Sequence, residues 1–139
     1  MSPEFLLDTS TVSLAIRGEA PVAVERLLHT PRERVAISVV TEMELRFGLA
    51  KNPATRHRGP VERFLATVPV ARLPDGIAGA YGRVRADLER RGTPIGALDT
   101  IIAAHALALG CVLVTNNTRE LRRVPRLRCE DWTVPRRRR

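Results

Sequence analysis

The apolar positions of this chain fall into short continuous runs separated by longer stretches with helical spacing. Short apolar runs indicate buried strands, and strands are predicted at residues 5–7, 34–38, 70–73, 111–115 and 127–130, of which 5–7 and 111–114 are apolar without a break. Continuous apolar strands of this kind are typical of parallel sheets, which helices cover on both faces.

The stretches between these runs carry helix signals. Helices are predicted near residues 11–17, from Pro21, over 39–50, from about Pro60, over 75–92 and over 97–109. Asp75 is expected to cap the fifth of these helices, and Gly92 to end it. Alternating strands and helices predict an α/β fold, with a central, twisted, mainly parallel sheet of about four to five strands flanked by helices.

Length and charge narrow the possible functions. The chain has 139 residues, enough for one domain with a single core, and we expect that domain to span residues 1–135, with a basic tail at 136–139. The formal net charge is +8, and Lys51 is the only lysine among the 23 basic residues. A basic surplus favours a polyanionic partner such as nucleic acid, because binding releases counterions.

The cysteines and the apolar segments indicate neither a metal cluster nor a membrane protein. Cys111 and Cys129 lack the spacing of a metal site and need no disulfide. The longest apolar stretch is interrupted by His105 and Gly110, and no basic region precedes the first apolar segment. We therefore expect a reduced, cytoplasmic protein with no membrane segment.

Asp8 ends the first predicted strand and is followed by Thr9, Ser10 and Thr11. Asp8 or Ser10 can simply cap the next helix, because short oxygen-bearing side chains accept hydrogen bonds from the free N–H groups of a first turn. Alternatively, Asp8 belongs to an active site, since parallel sheets carry their sites at the carboxyl ends of the strands. The residues alone leave both interpretations open.

Two glutamates on the predicted helix at 39–50 differ in their expected role. Glu42 lies four residues before Arg46, the favourable order for an exposed ion pair, so we expect it at the surface. Glu44 shares a helical side with Val40 and Phe47, which should point inward. The alternative role of Glu44 is a capping box with Thr41.

Asp99 stands near the start of a predicted helix whose other residues are almost all apolar. Burying a carboxylate there costs several kcal/mol unless a cation or several donors compensate it, although Asp99 can also be an N-cap. A parallel fold can bring Asp8, Glu44 and Asp99 to one edge, where their mutual repulsion requires cations. Oxygen-only ligands suit Mg²⁺ or Mn²⁺, which promote the hydrolysis of phosphate esters.

Four segments carry a family resemblance that extends over essentially the whole chain. In order, they are LLDTS, SVVTEMELRFG, GTPIGALDTIIAAHALALG and LVTNNTRELRRVPRLRCEDW. In these segments the chain resembles PIN-domain ribonucleases of the VapC type, the toxins of bacterial and archaeal toxin–antitoxin pairs. The resemblance implies the PIN fold.

The resemblance also assigns the acids of the site. It implies that Asp8, Glu44, Asp99 and Glu120 are catalytic and that Asp8 and Asp99 bind the metal. It favours Glu44 over Glu42, because the family's glutamate directly precedes a leucine.

Polar residues are expected to support these acids. They are Ser10, Thr115, Asn116 and Asn117. Many relatives have Asp where this chain has Asn117, which brings no charge. Glu120 is expected to supply the missing charge, unless it is a surface acid paired with Arg123.

The implied activity is metal-dependent endoribonuclease cleavage of RNA, with Mg²⁺ as cofactor and Mn²⁺ as a substitute. A metal-activated water attacks the phosphodiester in line, and the product carries a 5′-phosphate. The implied substrate is tRNA, in particular initiator tRNA, so that cleavage inhibits translation and growth. His29, His57 and His105 are expected at the surface or in the core, without a catalytic role.

The implied partners are a cognate VapB-type antitoxin and a second copy of the chain, bound through the early helices. An alternative function is a catalytically weakened PIN-fold protein that only binds RNA. Asn117 favours that alternative, whereas the retained acids favour an enzyme.

Overall fold

The computed structural model describes residues 2–135, and the predicted tail at 136–139 lies outside them. Its strands are β1 (Phe5–Leu7), β2 (Val35–Ser38), β3 (Val70–Ala71), β4 (Val112–Val114) and β5 (Cys129–Glu130). Its helices are α1 (Thr9–Ile16), α2 (Pro21–Leu28), α3 (Val39–Lys51), α4 (Arg58–Thr67), α5 (Ile77–Arg90), α6 (Ala97–Leu109) and α7 (Thr118–Leu121). A short 3₁₀ helix, Arg32–Arg34, leads into β2.

The five strands form one sheet in the order β3-β2-β1-β4-β5, and every neighbouring pair is parallel. The predicted fold class is therefore confirmed. In the register of the sheet, Leu7 of the central strand stands opposite both Ile37 and Val114. The carboxyl ends of β1, β2 and β4 consequently lie side by side at one edge of the sheet.

The sheet has an apolar layer on each face. The side chains of Leu7 and Val114 pack on one face with Trp132, and those of Leu6 and Leu113 pack on the other. This alternation is what a pleated strand imposes, and it explains why β1 and β4 are apolar without a break. Packing against these layers holds in place α1 and α3, the helices that begin directly after the carboxyl ends of β1 and β2.

Two local predictions for the helices are wrong. Asp75 does not cap α5, because the cap position is Gly76 with φ of +84°, a left-handed conformation that glycine adopts without strain. Phe47 does not point inward, and 67% of it is exposed. The buried side of α3 runs through Leu45 and Leu49, so Phe47 lies about half a turn away from it.

The predicted end of α5 is confirmed. Gly92, with φ of +68°, follows the last turn of α5. Cys111 and Cys129 are both free thiols, and burial raises the pKa of Cys111 to about 11. Among residues 2–135, no helix combines the length and the apolar character needed to cross a membrane.

Candidate active site

Asp8 leaves the carboxyl end of β1 and is 5% exposed. Its Oδ1 accepts a hydrogen bond from the backbone N–H of Thr11 at 2.9 Å, and its Oδ2 accepts one from the hydroxyl of Ser10 at 3.0 Å. Asp8 is therefore the N-cap of α1. The cap does not use up the carboxylate, because each oxygen has a second lone pair that can bind a cation.

Glu44 lies on α3 and reaches back toward the first turn of α1. The hydroxyl of Thr9 donates to its Oε1 at 2.5 Å, and Thr9 is also 3.2 Å from the hydroxyl of the buried Thr41. The proposed capping box is wrong, because α3 begins at Val39 and Ser38 caps it. Glu44 is instead held half-buried by α1.

Thr9 is a functional candidate that the sequence interpretation missed. Its only signal was its place directly after the acid that ends β1, and no spacing linked it to Glu44, 35 positions later in the chain. Glu42, in contrast, forms the predicted exposed ion pair with Arg46 at 3.0 Å.

Asp99 is the third residue of α6, and it does not cap the helix. The cap position is Gly96, which has no side chain to accept a hydrogen bond. The pKa of Asp99 is raised by burial and, to a smaller extent, by the negative charges of Asp8, Glu44 and Glu120. The four acids predicted from the sequence thus share one electrostatic environment.

Glu120 accepts a hydrogen bond from the Nδ2 of Asn117 at 3.0 Å. The alternative pair with Arg123 does not form, because the guanidinium of Arg123 donates to the carbonyl of Pro94 at 3.1 Å. Asn117 therefore turns its amide nitrogen toward Glu120. Its amide oxygen is left as the atom that can face an ion or water.

The remaining predicted residues connect the ends of β1 and β4. The hydroxyl of Ser10 is 2.5 Å from the amide oxygen of Asn116, in addition to its contact with Asp8. Thr115 is fully buried, and its hydroxyl accepts a hydrogen bond from the backbone N–H of Asn117 at 3.0 Å. These contacts hold the loop after β4 against the start of α1.

Buried His105 lies in the middle of α6 and ties this helix to the sheet. Its Nε2 donates to the carbonyl of Arg72 at 3.0 Å. A carbonyl can only accept, so Nδ1 carries no proton and accepts from the hydroxyl of Ser38 at 2.9 Å. Because Ser38 also caps the helix that carries Glu44, this histidine fixes α6 and Asp99 relative to α3. Of the two locations expected for the histidines, surface or core, His105 occupies the core.

The four acids lack a basic partner in the described part of the chain. Seven ion pairs form there, and none includes Asp8, Glu44, Asp99 or Glu120. Clustered carboxylates without a counter-charge are unstable unless a cation lies between them or one of them takes up a proton.

Oxygen donors of this kind suit a hard divalent cation. Among residues 2–135, no three Asp, Glu, His or Cys side chains converge closely enough to hold one ion. The donor set therefore fits a cation that takes one or two carboxylates and keeps several waters, as Mg²⁺ usually does.

Comparison with known sequences relates the chain to one protein family. Residues 5–127 match the family described as PIN domain. The chain is 39% identical over 130 residues to the tRNA(fMet)-specific endonuclease VapC of Salmonella typhimurium, and the match covers 93% of this chain and 98% of that protein.

Two solved structures have the same fold. DNA-bound VapBC from Salmonella typhimurium superposes with a TM-score of 0.86 at 40% identity, covering 94% of this chain and 98% of that one. VapBC2 from Rickettsia felis, bound to a DNA fragment from its promoter, superposes with a TM-score of 0.82 at 30% identity, covering 92% and 98%.

Proposed function

Since the chain belongs to the PIN-domain family, we propose that it is a metal-dependent endoribonuclease and the toxin of a VapBC-type toxin–antitoxin pair. It hydrolyses RNA phosphodiesters, and its substrate is tRNA. Loss of that RNA inhibits translation and growth.

The observation that carries this proposal is the cluster of four acids without a basic partner in a chain of net charge +8. Arginine is abundant in this sequence, yet each of the seven ion pairs of residues 2–135 uses an acid outside the cluster. A site that only stabilised the fold would gain from an arginine at this position. A site that binds a cation and then a phosphate requires the acids to stay available.

We assign the metal to Asp8 and Asp99, with Mg²⁺ as the cofactor and Mn²⁺ as a substitute. A bound cation of this kind neutralises the scissile phosphate and lowers the pKa of a coordinated water. Asp8 is suited to this role because α1 and Ser10 hold its carboxylate in one orientation. Asp99 is suited because its raised pKa reflects a carboxylate that a cation would stabilise.

Glu44 and Glu120 complete the catalytic acids. Each is held by one neighbour, Thr9 for Glu44 and Asn117 for Glu120, and each keeps a second carboxylate oxygen to accept a proton or a hydrogen bond. Ser10, Thr115, Asn116 and Asn117 keep the two loops of the site together.

Initiator tRNA is the substrate we propose, since the Salmonella relative is named for tRNA(fMet). Two arginines support RNA binding beside the acids. Arg119 and Arg122 are exposed at α7, directly after Asn117, and neither pairs with a carboxylate of residues 2–135. Guanidinium groups free of acids at this position can contact the phosphates on either side of the cleaved bond.

The partners we propose are a VapB-type antitoxin and a second copy of the chain. The two VapBC neighbours support the antitoxin. Because the proposed substrate, tRNA, acts in the cytoplasm, we propose that the chain acts there too. For the homodimer, the support is the exposed apolar pair Met43 and Phe47 on α3.

The test is cleavage of total bacterial tRNA by the purified chain in Mg²⁺, in Mn²⁺ and in EDTA. Asp8→Asn is the matched variant, because Asn is as good an N-cap as Asp; it removes the charge and replaces the oxygen that accepts from Ser10 by an amide nitrogen. We expect cleavage at one site in either metal, none in EDTA, and a loss of at least about a hundredfold in the variant. RNA binding without cleavage, equal in wild type and Asp8→Asn, would instead establish the alternative of an RNA-binding protein.

A further inference from the structure

A cavity of about 220 Å³ opens beside the acids, between α1, α3 and α4. Thr9 and Glu44 form one wall of this cavity. A larger cavity, of about 880 Å³, lies against Leu107 near the opposite end of α6 from Asp99. The small cavity includes the catalytic acid Glu44 in its lining, and we call it the side pocket.

Apart from Thr9 and Glu44, the side pocket has an apolar wall and a set of polar side chains that we call its rim. The apolar side chains are those of Ile16, Leu45, Leu49 and Val61. The rim consists of Ser13, Arg17, Asn52, Thr55 and His57, and Asn52 is exposed, its side chain making no hydrogen bond to residues 2–135. An amide, a hydroxyl and an imidazole together offer both donors and acceptors.

We propose that the side pocket binds one nucleobase of the RNA, from a nucleotide next to the cleaved phosphodiester. This inference rests on the proposed ribonuclease function. A nucleobase has flat apolar faces and a polar edge, which match the walls and the rim. Pockets for drug-sized ligands measure about 300–1,000 Å³, so this smaller one suits a single heterocyclic ring.

The position of the pocket favours RNA over a protein segment. Sequence-specific proteins read single-stranded RNA by taking unstacked bases into pockets and bonding to their edges. Because Glu44 lines both the pocket and the acid cluster, a base held here belongs to a nucleotide whose phosphate lies close to the acids. The side pocket would then select which bond is cut.

Gly48 provides a way to fill the pocket. It lies on α3 among the lining residues, and a Cβ added there meets no atom within 4 Å. Gly48→Leu is therefore compatible with the helix, in which leucine is favoured over glycine by about 1 kcal/mol. Gly82→Leu is the matched control, because Gly82 is also an exposed helical glycine with no atom within 4 Å of an added Cβ, on α5.

The experiment combines these variants with an altered RNA. The substrate is an oligoribonucleotide that spans the cleavage site of initiator tRNA, intact or with one abasic nucleotide directly 5′ or 3′ of the cut bond. We expect Gly48→Leu to lower kcat/KM on intact RNA at least about tenfold, and one abasic RNA to lower the wild-type value similarly. The two losses should not add, because both remove the same interaction. Gly82→Leu should behave as wild type on every RNA.

Dissociation constants measured in EDTA, where no cleavage occurs, should show the same non-additive pattern. If the losses caused by Gly48→Leu and by the abasic RNA add, or if Gly48→Leu cleaves normally, the proposal that the side pocket binds a base is wrong. The proposed ribonuclease function is not affected by either result. Normal cleavage by Gly48→Leu that the antitoxin no longer inhibits would overturn it as well, and would assign the pocket to the antitoxin. If wild type fails to cleave intact RNA in Mg²⁺, the proposed function itself fails.

Discussion

The hydroxyl of Thr9 donates a hydrogen bond to the carboxylate of Glu44, with 2.5 Å between Oγ1 and Oε1. This contact joins the first turn of α1, which follows the strand end at Asp8, to the middle of α3. It sets the distance between two catalytic acids that belong to separate elements. Thr9 is thus a positioning residue for Glu44.

Replacing Thr9 tests that role. Thr9→Val keeps the shape of the side chain and removes a hydrogen bond to a charged group, worth about 1.5–3 kcal/mol. We expect kcat to fall at least about tenfold, since about 1.4 kcal/mol corresponds to a factor of ten in rate. Thr9→Ser keeps the hydroxyl and should restore most of the activity. Equal losses in Val and Ser would show that the methyl group matters and the hydrogen bond does not.

A second prediction concerns the charge at position 117. In Asn117→Asp, the hydrogen bond to Glu120 is lost and a fifth carboxylate joins the cluster. We expect a lower Tm in EDTA, because like charges repel, and a larger rise in Tm on addition of Mg²⁺ than wild type shows. Asn117→Ala is the control, which should lower Tm in EDTA without the larger rise. If Mg²⁺ raises Tm equally in wild type and in the Asp variant, residue 117 does not face the ion.

The sheet was predictable from the sequence mainly because its neighbouring strands β1 and β4 are unbroken apolar runs. A run such as 111–115 has few alternatives in a chain of this length, and the parallel topology followed from the helices between the runs. The caps were less predictable. Aspartate is a residue type that favours the N-cap position, but in α5 that position is taken by the next residue, Gly76. Residue type alone does not determine where the backbone turns into the helix.

The candidate site was predictable only in part. Asp8 and Asp99 stand out because a carboxylate at the end of a buried strand or in an apolar helix is costly. The hydrogen bond between Thr9 and Glu44 carries no such signal, since its partners lie 35 positions apart and both residue types are common on surfaces. The prediction that Phe47 points inward was wrong because helical spacing gives only the angles between side chains around the helix axis. Which side of the helix is buried depends on the rest of the fold.

A third prediction follows from His105. Burial lowers the pKa of His105, and the hydrogen bond to the backbone carbonyl of Arg72 offsets only part of this decrease. The unfolded chain therefore takes up a proton at His105 at a higher pH than the folded chain does. Stability from this group is complete above the unfolded pKa of about 6.5 and is lost as the pH falls toward the folded pKa, by up to about 1.4 kcal/mol per pH unit.

Urea unfolding at about pH 7.5 and about pH 5.5, on either side of the unfolded histidine pKa, measures this loss. His105→Gln should be less stable than wild type at both pH values, because Ser38 or Arg72 loses a partner. Its additional loss at the lower pH should be smaller than that of wild type. His29→Gln, at an exposed position, is the control for the exchange of a histidine for glutamine. The same pH dependence in the His105 variant would mean that His105 is protonated equally in both states.

The last prediction concerns the exposed face of α3. Met43 and Phe47 lie one helical turn apart and are 59% and 67% exposed, so together they form an apolar patch in the middle of α3, the helix that carries the catalytic Glu44. If a second copy covers this patch, Phe47→Ser should weaken the dimer at least about tenfold, because fully burying a Phe side chain contributes about 1.5–3 kcal/mol. Sedimentation equilibrium measures the change. Leu73→Ser, at an exposed apolar position outside the helices, is the control and should leave the dimer unchanged. A Phe47→Ser protein that dimerises as wild type does would place the interface on another face, and an unchanged Tm would confirm that the residue contributes little within the monomer.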